Sequence, residues 1–290
     1  MLAGIGLMAG GIFLFAVNDA LGKWLVATYS VGQLLLIRSV AALSLLAPFI
    51  RHDAKSFAAA PRRGIQALRA LFATVEVACF YGAVAYLPLA DVMTYYLAGP
   101  IFVTAIAGAV LGETIGWRRW AAVIVGFAGV MVCLRPGTAT LTWPALIALA
   151  GSFTFSLSMI ATRYLRGTSD TVLVTTQTVG ALAFGAVAAP FAWIAPSAGD
   201  AALLALLGVV AMIAHVCVNR SLKLAPASIV VPYQYTTIIW AVLFGYVVFG
   251  DVPDAWMLAG AAIIIGAGLF IFLREQQLAR REPAFSEPPP

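Results

Sequence analysis

The sequence predicts an all-α integral membrane protein with ten transmembrane helices, arranged as two inverted five-helix repeats with both termini in the cytoplasm. Three observations support this fold class. Apolar side chains make up 62% of the 290 residues, charged side chains make up only 10%, and the mean hydropathy is +0.98. The apolar residues fall into ten long runs, and part of the sequence repeats at a fixed offset. A chain of 30.5 kDa with this composition could not hide its apolar surface from water, so most of it is expected to lie in lipid.

Each predicted span is an apolar run of about 20 residues, the length that crosses a bilayer core of about 30 Å. Charged residues, prolines or glycine clusters separate the runs, which cover residues 3–25, 31–50, 66–87, 90–112, 118–135, 142–164, 171–194, 200–221, 226–250 and 255–273. These runs leave no room for a second, soluble domain. The segment 276–290 is polar and ends in three prolines, so we expect a disordered cytoplasmic tail.

Basic residues predict the orientation, because loops on the cytoplasmic side retain lysine and arginine. Of the 17 basic residues, two (Lys23 and Arg135) fall on one side and Arg38 lies inside a span. The other 14 fall on the opposite side, and they are Arg51, Lys55, Arg62, Arg63, Arg69, Arg118, Arg119, Arg163, Arg166, Arg220, Lys223, Arg274, Arg280 and Arg281. This asymmetry places both termini on the cytoplasmic side of a bacterial-type inner membrane. It also explains the pI of 9.3 without a nucleic-acid partner.

An internal repeat divides the chain into a first half, 1–138, and a second half, 139–275. Residues 87–113 align without a gap on residues 225–251 at an offset of 138, which matches Tyr95 with Tyr233 and Phe102 with Trp240. Residues 11–25 match 151–165 at an offset of 140. Five is an odd number of spans, so the second half enters the membrane inverted. Inverted repeats are typical of secondary transporters, which bind their cargo near the midplane between the halves.

Several local patterns accompany this repeat. Gly112 and Glu113 end the fourth span as Gly250 and Asp251 end the ninth, the fifth and tenth spans are rich in glycine, and residues 19–23 read Asp-Ala-Leu-Gly-Lys, followed by Arg38. In these features the chain resembles the EamA-type drug/metabolite transporter superfamily. The resemblance implies ten helices around a central cavity, alternating access, and efflux of amino acids, metabolites or related small solutes. Exporters of the YddG type, which handle aromatic amino acids, are one branch that fits the aromatic content of 11%.

Four charged side chains lie well inside predicted spans, away from the span ends, where each needs a partner or a watery cavity. Asp19 and Lys23 stand four residues apart on one helix face, so we expect an ion pair there, unless Lys23 extends to the interface. Arg38 binds either a substrate carboxylate or a neighbouring helix. Glu76, near the midplane, is either a proton-coupling group or a hydrogen-bonding partner of another helix. The two acids and two bases cancel, which favours a neutral or zwitterionic substrate.

Uncharged polar residues inside the spans are further candidates for the cavity. His215 and Asn219 share one face of the eighth span, and Asn18 and Gln177 lie in the first and seventh. The alternative is that these side chains only hydrogen-bond one helix to another, as we also expect of Ser156.

Tyrosines suggest two gates. Tyr95 and Tyr96 enter the fourth span from the outer face, whereas Tyr233 and Tyr235 enter the ninth from the inner face. Prolines at positions 100 and 232 are expected to kink these two spans next to the tyrosines. The alternative is an ordinary aromatic belt at the two interfaces.

Four further residues are predicted to line the cavity wall, namely Tyr81, Phe155, Gln234 and Trp240.

The sequence therefore predicts a secondary transporter that exports small amphipathic metabolites, with amino acids, including aromatic ones, as the first expectation. An exchanger of nucleotide-like or phosphorylated solutes is one alternative, and an intramembrane enzyme built on His215 or Glu76 is another. Recognised enzyme motifs and metal-binding spacings are missing from the sequence, so we predict no catalytic residue, cofactor or metal. The predicted partners are a small-molecule substrate and the lipid bilayer, and oligomeric state is left open.

Overall fold

A computed structural model describes residues 2–58, 60, 62–110, 117–134, 142–165, 167–224, 233 and 236–281. For residues 58, 100, 104, 107–110, 119, 134, 163, 219, 222, 223, 271, 272, 275, 276 and 278–281 it describes the backbone alone. Over these ranges the protein is all-helical, without a β-strand, as predicted.

Twelve α-helices lie within the described residues. They are α1 (Leu2–Val26), α2 (Val31–His52), α3 (Ala54–Ala58), α4 (Arg63–Val84), α5 (Leu89–Tyr96), α6 (Gly99–Val110), α7 (Trp117–Leu134), α8 (Trp143–Tyr164), α9 (Asp170–Ala188), α10 (Ala198–Leu224), α11 (Thr237–Phe244) and α12 (Ala255–Arg281). A 3-10 helix at Ala189–Ala192 extends α9, and a π-helical segment at Gly245–Phe249 extends α11.

Six helices of the described chain are long and apolar enough to cross a membrane: α1, α2, α4, α8, α9 and α10. Shorter apolar helical stretches occupy Leu89–Val103, Trp120–Cys133, Thr237–Phe249 and Ala255–Phe270. The long helices coincide with six of the predicted spans, and the shorter stretches overlap the other four. A crossing by each of these four remains a prediction.

Local sequence explains where several helices begin. Ser30 caps α2 by accepting a hydrogen bond from the backbone N–H of Gln33 at 3.3 Å, and Ser169 caps α9 in the same way through Val172. A serine hydroxyl in this position satisfies a backbone donor that has no partner within the helix.

The fourth predicted span is broken in the middle. Helix α5 ends at Tyr96 and α6 begins at Gly99, immediately before Pro100. Proline lacks a backbone N–H and crowds the carbonyl four residues earlier, so a break is expected at this place. Ser156 of α8 donates a hydrogen bond to the carbonyl of Gly99 at 3.0 Å, which joins α8 to the first residue of α6.

Helix packing places the first half of the chain against the second. The most extensive contacts join α1 with α10, α4 with α8, α7 with α12, and α2 with α9; α2 also packs on α10, and α4 on α9. Gly129 and Gly260 allow α7 and α12 to approach closely, because a methyl group on either would press on the carbonyl of the other.

The last helix continues beyond the end of the predicted tenth span. Helix α12 runs to Arg281, so residues 276–281, the first part of the predicted tail, are helical. Glutamine, leucine, alanine and arginine in this stretch are good helix formers, and the first proline after it is at position 283. The rest of the predicted tail lies outside the described residues.

Tryptophans at helix ends are exposed on the surface of the bundle. Trp117 and Trp143 are the first residues of α7 and α8, Trp256 is the second residue of α12, and all three side chains are more than half exposed. This placement fits an aromatic belt at the membrane interfaces.

Candidate functional site

Five polar side chains from three helices meet inside the bundle, and we call them the central cluster: Asn18 and Asp19 of α1, Arg38 of α2, and Glu76 and Tyr81 of α4. The hydroxyl of Tyr81 joins the three helices. It accepts a hydrogen bond from Asn18 Nδ2 at 3.1 Å and another from Arg38 Nη1 at 2.9 Å. The Arg38 guanidinium also lies 5.5 Å from the centre of the Tyr81 ring. Sequence analysis selected all five residues, and the structure brings them together.

The charged members of the cluster interact through space. Asp19 and Glu76 lie near enough to each other and to Arg38 for their charges to couple. In the described part of the chain neither carboxylate forms a direct ion pair with Arg38. All three side chains are only partly buried.

Two glycines make this arrangement possible. A methyl group at Gly22 of α1 would overlap the ring of Tyr81, and one at Gly208 of α10 would overlap the backbone carbonyl of Arg38. The absence of a side chain at these positions lets α4 approach α1 and lets α10 approach α2, which places Tyr81 and Arg38 in the interior.

A cavity lies beside Arg38, between α2, α4, α9 and α10. Its polar lining consists of Arg38, Ser39, Gln177, Thr178 and His215. The cavity has a volume of about 50 Å³, which is enough for one or two water molecules. A metabolite would therefore need the helices to move apart before it could enter.

His215 lines this cavity, but much of its hydrogen-bonding capacity is used locally. Its Nδ1 lies 2.8 Å from the carbonyl of Ala211, one turn earlier, and its ring contacts Phe15 edge-on with ring centres 4.8 Å apart. The contact with Phe15 joins α10 to α1. The side chain of Asn219, the predicted neighbour of His215, lies outside the described residues.

Gln177 also lines the cavity, where it is held by an arginine that the sequence analysis treated only as an orienting charge. Arg69 of α4 donates from Nη2 to Gln177 Oε1 at 3.3 Å, from Nε to Thr162 Oγ1 at 2.7 Å, and from Nη1 to the carbonyl of Leu173 at 3.1 Å. We call these four residues the Arg69 clamp. It joins α4 to α8 and α9. Its position inside the predicted span 66–87 was the signal that could have identified it.

Lys23 does not form the expected ion pair with Asp19. Its Nζ lies 2.5 Å from Asp251 Oδ2 and 4.5 Å from the centre of the Phe249 ring. The prediction considered only residues on the same helix, whereas Asp251 lies just after the π-helical segment that follows α11. Asp19 instead has its neighbour Asn18 as a hydrogen-bonding partner, at 3.5 Å.

Tyr95 and Tyr96 lie at the end of α5, next to the break in the fourth span. Tyr95 is buried in the apolar core. The hydroxyl of Tyr96 donates to the backbone carbonyl of Glu76 at 3.1 Å, which links the broken span to the central cluster. Tyr96 also packs edge-on against Phe80, with ring centres 5.5 Å apart.

The aromatic residues predicted for the second half lie elsewhere in the bundle. Tyr233 and Trp240 pack against Met8 and Ile12 of α1, and Trp240 meets Phe13 with ring centres 5.0 Å apart. Phe155 packs beside Gly99 at the break in the fourth span. None of these residues lines the cavity beside Arg38. Gln234, Tyr235 and Pro232 lie outside the described residues, as do Glu113 and Gly112.

Comparison with protein families gives the class of protein. The model of the EamA-like transporter family matches residues 2–135 and again residues 142–273. The chain therefore belongs to the EamA-like transporter family, as its resemblance indicated, and is a multi-pass membrane protein.

Three relatives show the range of the family around this chain. An S-adenosylmethionine uptake transporter of Rickettsia felis is 25% identical over 97% of this chain and 96% of its own length. A riboflavin transporter of Rhizobium johnstonii is 28% identical over 74% of this chain and 72% of its own. The pseudopaline exporter CntI of Pseudomonas aeruginosa is 25% identical over 91% and 94%.

A solved crystal structure supports the fold alone. It superimposes on this chain with a TM-score of 0.65 at 14% sequence identity, covering 98% of this chain and 100% of the other.

Family and relatives agree that the protein is a transporter of small metabolites and not an enzyme. The three relatives carry different cargoes, two are named for transport or uptake and one for export, and none of the three is named as an amino-acid exporter. Membership in the family therefore does not select the amino acids that the sequence analysis favoured.

Proposed function

We propose that this chain is an alternating-access carrier for small amphipathic metabolites that contain an amino-acid group, and that the central cluster is its binding site. One observation carries the proposal. Arg38 uses only Nη1 for a hydrogen bond within the described residues and faces a cavity, so Nε and Nη2 remain able to bind a carboxylate. Among the cargoes of the relatives, S-adenosylmethionine contains an amino-acid group.

Alternating access would use two inverted halves. The pattern of helix contacts supports this proposal. If each span is exchanged for its counterpart in the other half, the contact of α1 with α10 becomes the contact of α8 with α4. The same exchange leaves the contact of α2 with α9 and the contact of α7 with α12 unchanged. The family model also matches each half separately. The distribution of basic residues supports an orientation with both termini in the cytoplasm of a bacterial inner membrane.

The broken fourth span supports a gate on the first half. Discontinuous helices at the midplane are common at transporter binding sites, and here the break adjoins Tyr96, which contacts the backbone of Glu76. Movement of α6 relative to α5 would change the position of Tyr96 and therefore the shape of the site. Tyr95, Tyr96, Tyr233 and Tyr235 remain our candidates for the two gates.

Glu76 is our candidate for proton coupling. It lies in the central cluster beside a second carboxyl group, Asp19, and near the guanidinium of Arg38, so its charge couples to both. A phosphorylated solute is the less suitable cargo, because it would bring further negative charge toward these two carboxylates.

Purified protein in proteoliposomes tests the proposal. The vesicles would be offered radiolabelled methionine, phenylalanine, lysine, S-adenosylmethionine and riboflavin, with glucose 6-phosphate as the phosphorylated comparison. We expect saturable uptake of at least one solute with an amino-acid group, inhibited by others of the same class. Uptake of glucose 6-phosphate or riboflavin alone would contradict the assignment of an amino-acid group to the site.

A further inference from the structure

One buried atom of the central cluster has no hydrogen-bond partner in the part of the chain that the structure describes. Asn18 is 3% exposed, and its amide nitrogen contacts both Asp19 and Tyr81, but Oδ1 of the same amide has no hydrogen-bond donor within the described residues. A buried acceptor without a donor costs free energy, and most such atoms in proteins are paired. This oxygen is therefore positioned to accept a hydrogen bond from a ligand.

Acidic side chains outnumber basic side chains in the central cluster. The cluster contains two carboxylates, Asp19 and Glu76, and one guanidinium, that of Arg38. With Lys23 included, as the sequence suggested, there would be two acidic and two basic side chains, but Lys23 forms its ion pair with Asp251.

The other nearby cation is also engaged elsewhere. All three nitrogens of Arg69 donate to Thr162, Leu173 and Gln177. Arg38 directs Nη1 at the hydroxyl of Tyr81 rather than at a carboxylate. In the described part of the chain, no positive side chain forms an ion pair with Asp19 or Glu76. A charge in the low-dielectric interior of a membrane protein requires compensation.

We propose that Asn18 Oδ1 and the Asp19 carboxylate, with Glu76 nearby, form a subsite for a positively charged group of the cargo. The preferred cargo then has an amino-acid group and one additional positive charge, such as a second ammonium or a sulfonium. Its carboxylate binds Arg38, and its two positive groups compensate Asp19 and Glu76. This inference rests on the function proposed above and narrows its substrate class.

Matched pairs of solutes test the charge preference. Lysine and norleucine have similar length and differ by one positive charge at neutral pH, and S-adenosylmethionine and S-adenosylhomocysteine differ by the methyl group that creates the sulfonium. Initial uptake of each labelled solute would be measured in proteoliposomes without an ion gradient. We expect the positive member of at least one pair to be preferred by about tenfold, as for a charge-assisted hydrogen bond.

Three variants locate the preference. Asp19→Asn should reduce it to less than about twofold, because the charge is removed while the shape is kept. Asn18→Leu, which keeps both carboxylates, should weaken it by removing the unpaired oxygen. Asp200→Asn makes the same chemical change outside the cluster, where Asp200 bonds to Tyr29 and Ser197, and should leave the preference unchanged. Each variant should elute as a single peak in detergent before reconstitution.

The outcomes separate this inference from the proposed function. Uptake of solutes with an amino-acid group but without a charge preference in the wild-type protein overturns the subsite and leaves the carrier function standing. A preference that survives in both Asp19→Asn and Asn18→Leu also overturns it. Uptake of none of the four solutes overturns the subsite, and it overturns the proposed function as well if methionine and phenylalanine are not taken up either. Because the wild-type pairs are decisive alone, a variant that fails to fold does not prevent the test.

Discussion

Arg38 and Arg69 both extend from membrane-spanning helices into the interior, but their hydrogen bonds differ. Each of the three nitrogens of Arg69 donates to a protein acceptor on α8 or α9. Among the described residues, Arg38 uses one nitrogen, which donates to Tyr81, and its side chain lines a cavity. An arginine whose donors are all paired holds helices together, whereas one with free donors at a cavity can bind a ligand. The central cluster and the Arg69 clamp therefore have different tasks.

The largest effect expected from this comparison is the loss of transport in Arg38→Met. Removing the guanidinium should lower kcat/KM for the cargo about 100-fold, or about 2.7 kcal/mol, because charge-assisted bonds to its carboxylate disappear. The melting temperature in detergent should change little. The measurement is initial uptake in proteoliposomes against cargo concentration, and an unaltered kcat/KM would remove Arg38 from the site.

Arg69→Met should show the opposite pattern, with a loss of stability rather than a loss of transport. It removes three hydrogen bonds from a cation and leaves Gln177 and Thr162 without their partner, so we expect a stability loss of about 2 kcal/mol. Unfolding in mixed detergent micelles would measure it. Folded Arg69→Met that is as stable as the wild-type protein but fails to transport would show that the clamp, too, contacts cargo.

Glu76→Gln tests coupling within the central cluster. If Glu76 carries one proton per cycle, a pH difference of one unit across the membrane can sustain about a tenfold concentration ratio of cargo in the wild-type protein. In the variant this ratio should fall to unity, while exchange of cargo for cargo continues. Accumulation would be measured with and without the pH gradient. An unchanged pH dependence would assign coupling to another group or to none.

A smaller effect is expected at the pair Lys23 and Asp251, whose side chains are 14% and 26% exposed. A double-mutant cycle with Lys23→Met and Asp251→Asn should give a coupling energy of about 0.5–1 kcal/mol, since partly exposed ion pairs contribute little. Unfolding of the four proteins in the same detergent measures it. A coupling near zero would mean that Lys23 interacts mainly with the Phe249 ring.

The smallest effect concerns Asp53, outside the membrane-spanning helices. Hydrogen bonds from Ser169, at 2.6 Å, and from Ser56 hold the pKa of Asp53 below its usual value of 3.8. A lowered folded-state pKa means that the stabilisation is present above that usual value and is lost as the pH falls through the folded pKa. Thermal midpoints measured from about pH 6 to about pH 3 should therefore decline less steeply in Asp53→Asn than in the wild-type protein. Equal slopes would contradict this assignment.

The sequence was most informative where placing a residue in its surroundings costs free energy. Polar and charged side chains in apolar runs identified Asn18, Asp19, Arg38 and Glu76 of the central cluster, and proline at position 100 identified the break after α5. Tyr81 was selected as an aromatic residue of the cavity wall. These signals work because a charge in lipid or a proline within a helix requires a particular structure around it.

Partners across the fold were harder to predict. The sequence paired Lys23 with Asp19 because both lie on one helix, and it could not show that Asp251, 228 residues away in sequence, approaches Lys23. It treated Arg69 as a loop charge although its acceptors lie on α8 and α9. It placed Trp240 in the cavity wall, whereas the side chain packs against α1. Each of these outcomes depends on how helices from the two halves pack together.

Counterflow in proteoliposomes tests the central claim most directly, that the central cluster binds cargo for a carrier. Vesicles loaded with unlabelled S-adenosylmethionine or lysine would be diluted into a trace of the same labelled solute. The wild-type protein should accumulate the label transiently above its equilibrium level, because loaded sites exchange across the membrane, and folded Arg38→Met should not. Equal overshoot in both proteins would contradict the assignment of the site, and equilibration without overshoot in the wild-type protein would contradict alternating access.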